Sequence, residues 1–208
     1  MLTRLHITIL LLAALVVWGC ALFVLGLPVT WEYTKPFALT VSALSAGCIV
    51  FEKWLWRWRI FRGWLVTQPD IQGTWKARLL STYAGSSGEP APNDCIMVIR
   101  QTFSTFSARL FTRESSSFLV AHSLLRHNDG VFQLTGVYQN TPDVMLRGER
   151  SEIHYGAMLL ELRGDPPTTL VGHYWTDRET KGRIELSDRT SDLLSTFAEG
   201  AQRYHLRT

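Results

Sequence analysis

The chain has 208 residues and a net charge of +3. So mild a charge indicates no surface for a nucleic acid polymer, and the length allows one ordinary domain beside an N-terminal segment. The three cysteines, Cys20, Cys48 and Cys95, are odd in number and lack metal-binding spacing. We interpret them as small apolar fillers in a reducing compartment.

Two uncharged stretches open the chain, residues 5–31 and 36–51. Because about 20 apolar helical residues cross a bilayer, we predict a transmembrane helical hairpin with a basic and aromatic collar over residues 1–62. Cations flank both outer ends, so the positive-inside rule predicts a two-pass protein with cytoplasmic N- and C-termini. A cleaved signal peptide, a lipoprotein cleavage site at Cys48 and a buried core helix are the alternatives. The flanking cations are Arg4, Lys53, Arg57, Arg59 and Arg62.

After a short linker the hydrophobic pattern changes to a period of two, which is typical of half-buried strands. Asp129-Gly130, between two alternating runs, indicates a tight hairpin. We predict a cytoplasmic, small, eight-stranded antiparallel barrel over residues 69–190, with a sandwich as the alternative. The predicted strands are 71–79, 96–102, 106–113, 118–125, 131–138, 154–163, 170–177 and 182–187. For the tail, 191–208, we predict a helix capped by Ser191.

We find no sequence pattern for catalysis. The six histidines are scattered, and there is neither a phosphate-binding glycine loop nor a nucleophile elbow. We therefore predict a protein that is not an enzyme, with no catalytic residues, no metal and no resident cofactor.

Strand alternation instead places a polar, aromatic and cationic minority on the interior face: Tyr138, His154, Tyr174, Thr176 and Arg178. Arginine offers a planar fork for phosphate, and tyrosine offers a stacking face for a base. These residues favour an anionic ligand that carries rings. The alternative is structural, with Asp177 pairing Arg178 or Arg183 at a strand end and Tyr174 closing the core.

Two resemblances follow from short motifs. Gly73-Thr74-Trp75 on the first strand, with Arg189 after the last, resembles the pattern of lipocalin-type barrels. That resemblance implies that the arginine stacks over the tryptophan at the closed end of the barrel.

The order of segments is also similar to CBASS antiphage effectors, associated with CD-NTases, that have two transmembrane helices and a cytoplasmic β-barrel. The motifs are Pro69-Asp70-Ile71-x-Gly73-Thr74-Trp75, Tyr138-x-Asn140-x-Pro142, Ile153-His154-x-Gly156 and Tyr174-Trp175-Thr176-Asp177-Arg178-x-Thr180-x-Gly182. This resemblance implies a barrel that binds a cyclic nucleotide as activating ligand, and we expect a cyclic dinucleotide. Binding would drive homo-oligomerisation and disruption of the bacterial inner membrane, whose lipid is the other expected partner, and so kill the infected cell.

The candidate nucleotide-binding residues are Trp75, Tyr138, Arg150, His154, Tyr174, Thr176 and Arg178. Two other functions stay open at this point. One is a membrane-tethered, lipocalin-like carrier of an apolar small molecule, which would have an apolar interior. The other is a non-catalytic assembly subunit whose barrel is only a scaffold.

Overall fold

The computed structural model describes residues 4–28, 30–82, 92–146 and 152–206. The chain divides into two compact units. The first comprises Met1–Val66 with Thr102–Thr105, and the second comprises Thr67–Gln101 with Phe106–Thr208.

The first unit is helical. Helix α1 spans Arg4–Val24 and helix α2 spans Trp31–Lys53, and two 3-10 turns follow at Leu55–Arg57 and Arg59–Phe61. Trp18 on α1 stacks on Phe37 on α2 with 4.4 Å between ring centroids.

The predicted transmembrane hairpin needs correction. Among the described residues, no helix combines the length and the apolarity that crossing a membrane requires. We predicted the hairpin by treating both uncharged stretches as apolar, but the second stretch is less apolar than the first. In α2 the uncharged stretch also contains threonine, serine and glycine, and the helix carries Glu32 in its first turn and Lys53 in its last.

The end of α2 is fixed by a polar contact within the same unit. One carboxylate oxygen of Glu52 accepts hydrogen bonds from the hydroxyls of Thr102 and Ser104 and from the Ser104 N–H. The Glu52 carbonyl accepts a further bond from the Phe103 N–H at 3.1 Å. Hydrogen bonds to a charged acceptor are stronger than neutral ones, so this short segment is held firmly against the helix end.

The second unit is a closed barrel in which every strand pairs antiparallel with the next and β8 returns to β1. The predicted eight-stranded antiparallel barrel is confirmed, and so is the tight hairpin at Asp129-Gly130. The sixth strand has the predicted bounds, while most others run longer. The strands are β1 Gly73–Ser81, β2 Pro92–Gln101, β3 Phe106–Phe111, β4 Ser115–Arg126, β5 Phe132–Pro142, β6 His154–Arg163, β7 Thr169–Thr176 and β8 Lys181–Thr190.

Alternation along the strands builds the core. On β6, Met158, Leu160 and Leu162 are buried while the residues between them are more exposed. They meet Leu134 and Leu170 from the flanking strands. The part of the interior around these residues is therefore a packed apolar core.

The barrel is closed at the end where β1 begins. Trp75 is fully buried there, its indole N–H donates to the Ile71 carbonyl at 2.9 Å, and the Arg189 guanidinium lies 5.6 Å from its ring centroid. Arg189 also donates to the Asp70 carbonyl at 2.6 Å. The expected stacking of the arginine over the tryptophan is confirmed.

The tail forms helix α3, Phe197–Tyr204, which packs against Ile96 and Val98 on the outer face of β2. Thr196, not Ser191, is its N-cap: the Thr196 hydroxyl accepts from the Glu199 N–H at 3.2 Å. The Glu199 carboxylate in turn accepts from the Ser195 N–H at 2.9 Å. This arrangement resembles a capping box, with the N–H of Ser195 in place of that of the N-cap residue, and the predicted cap at Ser191 is wrong.

Candidate functional site

The end of the barrel opposite Trp75, which we call the open end, carries a cluster of polar and aromatic side chains on four neighbouring strands. The pairing of β4 to β7 sets two rows across the interior. The outer row contains Ser117, Asn140 and His154, and the next row contains Leu119, Tyr138, Gly156 and Thr176. Tyr174 lies one step deeper and pairs with Met158 and Gly182.

Both tyrosine rings lie over a glycine on a neighbouring strand. A Cβ added at Gly156 would lie 2.5 Å from the Tyr138 ring, and one added at Gly182 would lie 2.7 Å from the Tyr174 ring. A Cβ essentially never lies this close to a non-bonded atom, so a side chain at either glycine would displace the ring. The two glycines therefore let each tyrosine extend sideways across the sheet.

Burial makes both phenols harder to ionise, because it raises the pKa of each. It raises the pKa of the Tyr138 hydroxyl above its ordinary range, and the nearby Tyr174 and Asp177 raise that pKa further. Burial also raises the pKa of Tyr174, although a hydrogen bond with the Ser81 side chain acts in the opposite direction. At neutral pH the site thus presents two uncharged hydroxyls and two ring faces.

A buried amide lies beside Tyr138 on the same strand face. Asn140 is 9% exposed, and its Nδ2 donates to the hydroxyl oxygens of Ser115, at 3.0 Å, and Ser117, at 2.8 Å. Ser115 is further bonded to the Thr112 hydroxyl at 3.0 Å. This polar cluster, consisting of Thr112, Ser115, Ser117 and Asn140, was not predicted as part of the site. Alternation alone could have placed Asn140 on the face of Tyr138.

Four of the predicted site residues come together here: Tyr138, His154, Tyr174 and Thr176. The His154 Nδ1 lies 3.1 Å from the Glu152 carbonyl, and the Thr176 and Thr180 hydroxyls lie 2.7 Å apart across the turn after β7. Thr176 therefore also shapes that turn.

Arg178 does not share the inward face of β7, because the strand ends at Thr176. Arg178 is exposed in the turn that follows, where its backbone N–H donates to the Thr176 hydroxyl at 3.2 Å. The adjacent Asp177 carboxylate accepts from the Tyr155 N–H at 3.0 Å, and Arg183 lies 3.8 Å from Glu185. The predicted inward position of Arg178 was wrong because it continued the alternation of β7 beyond Thr176, where the strand ends.

The two remaining predicted residues are not part of this cluster. Trp75 lies in the closed end, six residues before the Ser81 that contacts Tyr174, and so about 20 Å along the strand. Arg150 lies outside the described residues.

The inward positions of the eight described strands at the open end carry no arginine or lysine. An anionic group taken deep into this neutral interior would lose its hydration without a compensating charge. A neutral ring with hydrogen-bonding edges meets no such cost. The geometry suits a ligand whose rings enter the barrel while its charges remain at the rim.

Comparison with known proteins agrees with this geometry. Residues 66–188, more than half of the chain, match the family described as Cap15, cyclic dinucleotide receptor domain. CD-NTase-associated protein 15 of Staphylococcus schleiferi is 27% identical over 180 residues, which cover 86% of this chain and 90% of that protein. CD-NTase-associated protein 15 of Escherichia albertii is 24% identical over 174 residues, which cover 78% and 83%. The chain therefore belongs to the family of Cap15 cyclic dinucleotide receptor domains.

Proposed function

We propose that this protein is a CBASS antiphage effector whose barrel binds a cyclic dinucleotide at its open end. Membership of a receptor family supports a binding role without catalysis. The observation within the barrel that carries the proposal is the pair of inward tyrosines, each extended over a glycine, at the end where the strands also place Asn140 and Thr176 on the interior face.

A cyclic dinucleotide has two bases and two phosphates, and the site offers different surroundings for each. The Tyr138 and Tyr174 rings provide stacking faces that any base can use. Arg178, exposed in the turn beside Thr176, offers a guanidinium at the rim, where phosphates keep part of their hydration.

The alternative functions find less support in the described residues. A carrier of an apolar molecule would use an apolar open interior, but the apolar part of the barrel is a packed core around Leu160 and Leu170. A pure scaffold has no use for a neutral polar cluster at one end, since buried polar groups stabilise a fold less than apolar ones do.

Binding by the full-length chain tests this proposal. Calorimetric titration with a panel of cyclic dinucleotides is expected to find a ligand, and Tyr138→Ala is expected to weaken its binding roughly 5- to 150-fold through lost stacking. Tyr155→Ala is the matched control, because Tyr155 is exposed on the outer face of β6, where its hydroxyl bonds Gln139 at 3.3 Å. Equal affinity of the two variants would contradict binding at the open end.

We also propose that ligand binding drives association between copies and, through the helical unit, disruption of a membrane. Helix α1 exposes large apolar side chains, among them Leu12, Val16 and Phe23. Exposed apolar surfaces of this kind mark interaction sites in soluble proteins. The location at the bacterial inner membrane stays a prediction.

A further inference from the structure

The polar cluster around Asn140 has a bonding pattern that its structural contacts leave incomplete. An asparagine amide offers two donors and a carbonyl acceptor. Both donors of Asn140 are used on Ser115 and Ser117, which leaves its Oδ1 with no bonding partner in the described part of the chain. Among the described residues, the fully buried side-chain atoms that lack a partner do not include this oxygen, so it remains accessible to a hydrogen bond from a ligand.

Ser117 complements that acceptor with a donor. Its oxygen accepts from Asn140, so its own hydrogen is available, and no acceptor for it lies among the described residues. Ser117 is only 5% exposed and its side chain is on the interior face. An acceptor and a donor are thus held side by side at a fixed spacing.

The surroundings determine which part of a ligand this pair can meet. Tyr138 lies two residues before Asn140 on the same face of β5, and its ring extends over Gly156 on β6. The inward strand positions nearby are neutral, which disfavours a phosphate there. Nucleobases carry adjacent N–H donors and ring-nitrogen or carbonyl acceptors on their edges, so an acceptor–donor pair is complementary to them.

We propose that Asn140, oriented by Ser115 and with Ser117 as its partner, binds the hydrogen-bonding edge of one base and thereby determines which cyclic dinucleotide is preferred. This inference rests on the proposed function and goes beyond it, since stacking on tyrosine accepts every base. The preference comes from the polar cluster, because a base with mismatched groups would leave buried donors or acceptors unpaired.

The test is a ranking of affinities measured with the full-length chain. Titrations use purine–purine, purine–pyrimidine and pyrimidine–pyrimidine cyclic dinucleotides. Asn140→Asp has nearly the same shape, and its carboxylate can accept bonds from both serine hydroxyls, whose hydrogens then turn away from the ligand. A thermal melt checks that the variant is folded. We expect the affinity for the preferred ligand to fall at least roughly tenfold and the order of preference among the ligands to change. Ser117→Ala removes the donor and also the acceptor of one Asn140 N–H, and it is expected to change the order as well.

Gln139→Ala provides the matched control, since it removes an amide from the next position of β5 on the opposite face. It is expected to leave both affinity and ranking unchanged. A folded Asn140→Asp protein with an unchanged ranking would overturn the inference, whether its affinities stay the same or fall equally for all ligands. If the wild-type chain binds none of the panel, the proposed function itself fails, whereas binding with an unchanged ranking in the variants rejects only the role of Asn140.

Discussion

Each tyrosine of the open end depends on a residue that has no side chain. The Tyr138 ring occupies the space that a Cβ at Gly156 would need, and Tyr174 stands in the same relation to Gly182. The sequence alone predicts that these tyrosines point inward, because alternation determines the face of a strand. It does not predict which glycine lies under which ring, because that depends on the register between strands separated along the chain. The role of Asn140 was missed for the same reason, since Ser115 and Ser117 reach it only through the pairing of β4 with β5.

The raised pKa of Tyr138 predicts how stability responds to alkaline pH. The folded pKa lies above that of the unfolded chain, so as pH rises the unfolded chain loses its proton first. The contribution of Tyr138 to stability is therefore complete below about pH 10 and is lost above it. Tyr138→Phe removes this dependence. Unfolding by denaturant between pH 8 and 11 should show a shallower fall in the free energy of unfolding than wild type, by up to about 1.4 kcal/mol per pH unit.

The control for this pH series is Tyr155→Phe, since Tyr155 is exposed. It should follow the wild-type curve. Parallel curves for Tyr138→Phe and wild type would show that the phenol is not protected by the fold.

At the scale of elements, strand type was predictable and strand ends were not. The period of two identified all eight strands, but β7 ends at Thr176, where the hydroxyls of Thr176 and Thr180 close a turn. Because the turn begins there, Arg178 lies at the rim and not on the predicted inward face. Helix α3 shows the same limit: its apolar face was visible in the sequence, whereas its start is determined by the bonds among Thr196, Glu199 and Ser195.

Helix α3 packs so closely on β2 that Gly200 leaves no room for a methyl group. A Cβ there would lie 2.5 Å from the Ile96 side chain, which is itself fully buried. Gly200→Ala should therefore lower the free energy of unfolding by about 1–3 kcal/mol through overpacking, although alanine favours the helix by about 1 kcal/mol. Denaturant unfolding measures the change. Gln202→Ala, at an exposed position of the same helix, is the control, and a stabilised Gly200→Ala protein would show that α3 is not seated on Ile96.

At the scale of the whole molecule, the barrel and the helical unit differ in how far sequence determines them. The barrel follows from alternation and turn residues, and its closed end follows from the Trp75 and Arg189 pair. The transmembrane hairpin was predicted from uncharged length, and no described helix meets the combined requirement of length and apolarity. Periodicity reports which face of an element is buried. Whether an uncharged helix meets lipid or protein depends on its apolarity and on neighbours that the chain alone does not specify.

The proposed association between copies predicts a change in mass when ligand binds. Light scattering of the full-length chain should show an increase to at least twice the monomer mass at saturating cyclic dinucleotide. Dye release from anionic lipid vesicles is expected under the same conditions. The corresponding linear dinucleotide is the control ligand and should cause neither effect. A constant mass at saturation would separate ligand binding from assembly and reject this part of the proposal.

The pairing of β1 with β8 also determines when the chain can finish folding during synthesis. Strand β1 is synthesised first among the eight strands. It pairs with β8, for example through Leu79 and Ile184, and β8 is the last strand to be synthesised. Until then one edge of β1 has unpaired backbone groups, and the long separation favours folding in milliseconds to seconds rather than microseconds. A ribosome that stalls before β8 would hold an open sheet with two free edges, a form prone to pair with another nascent chain.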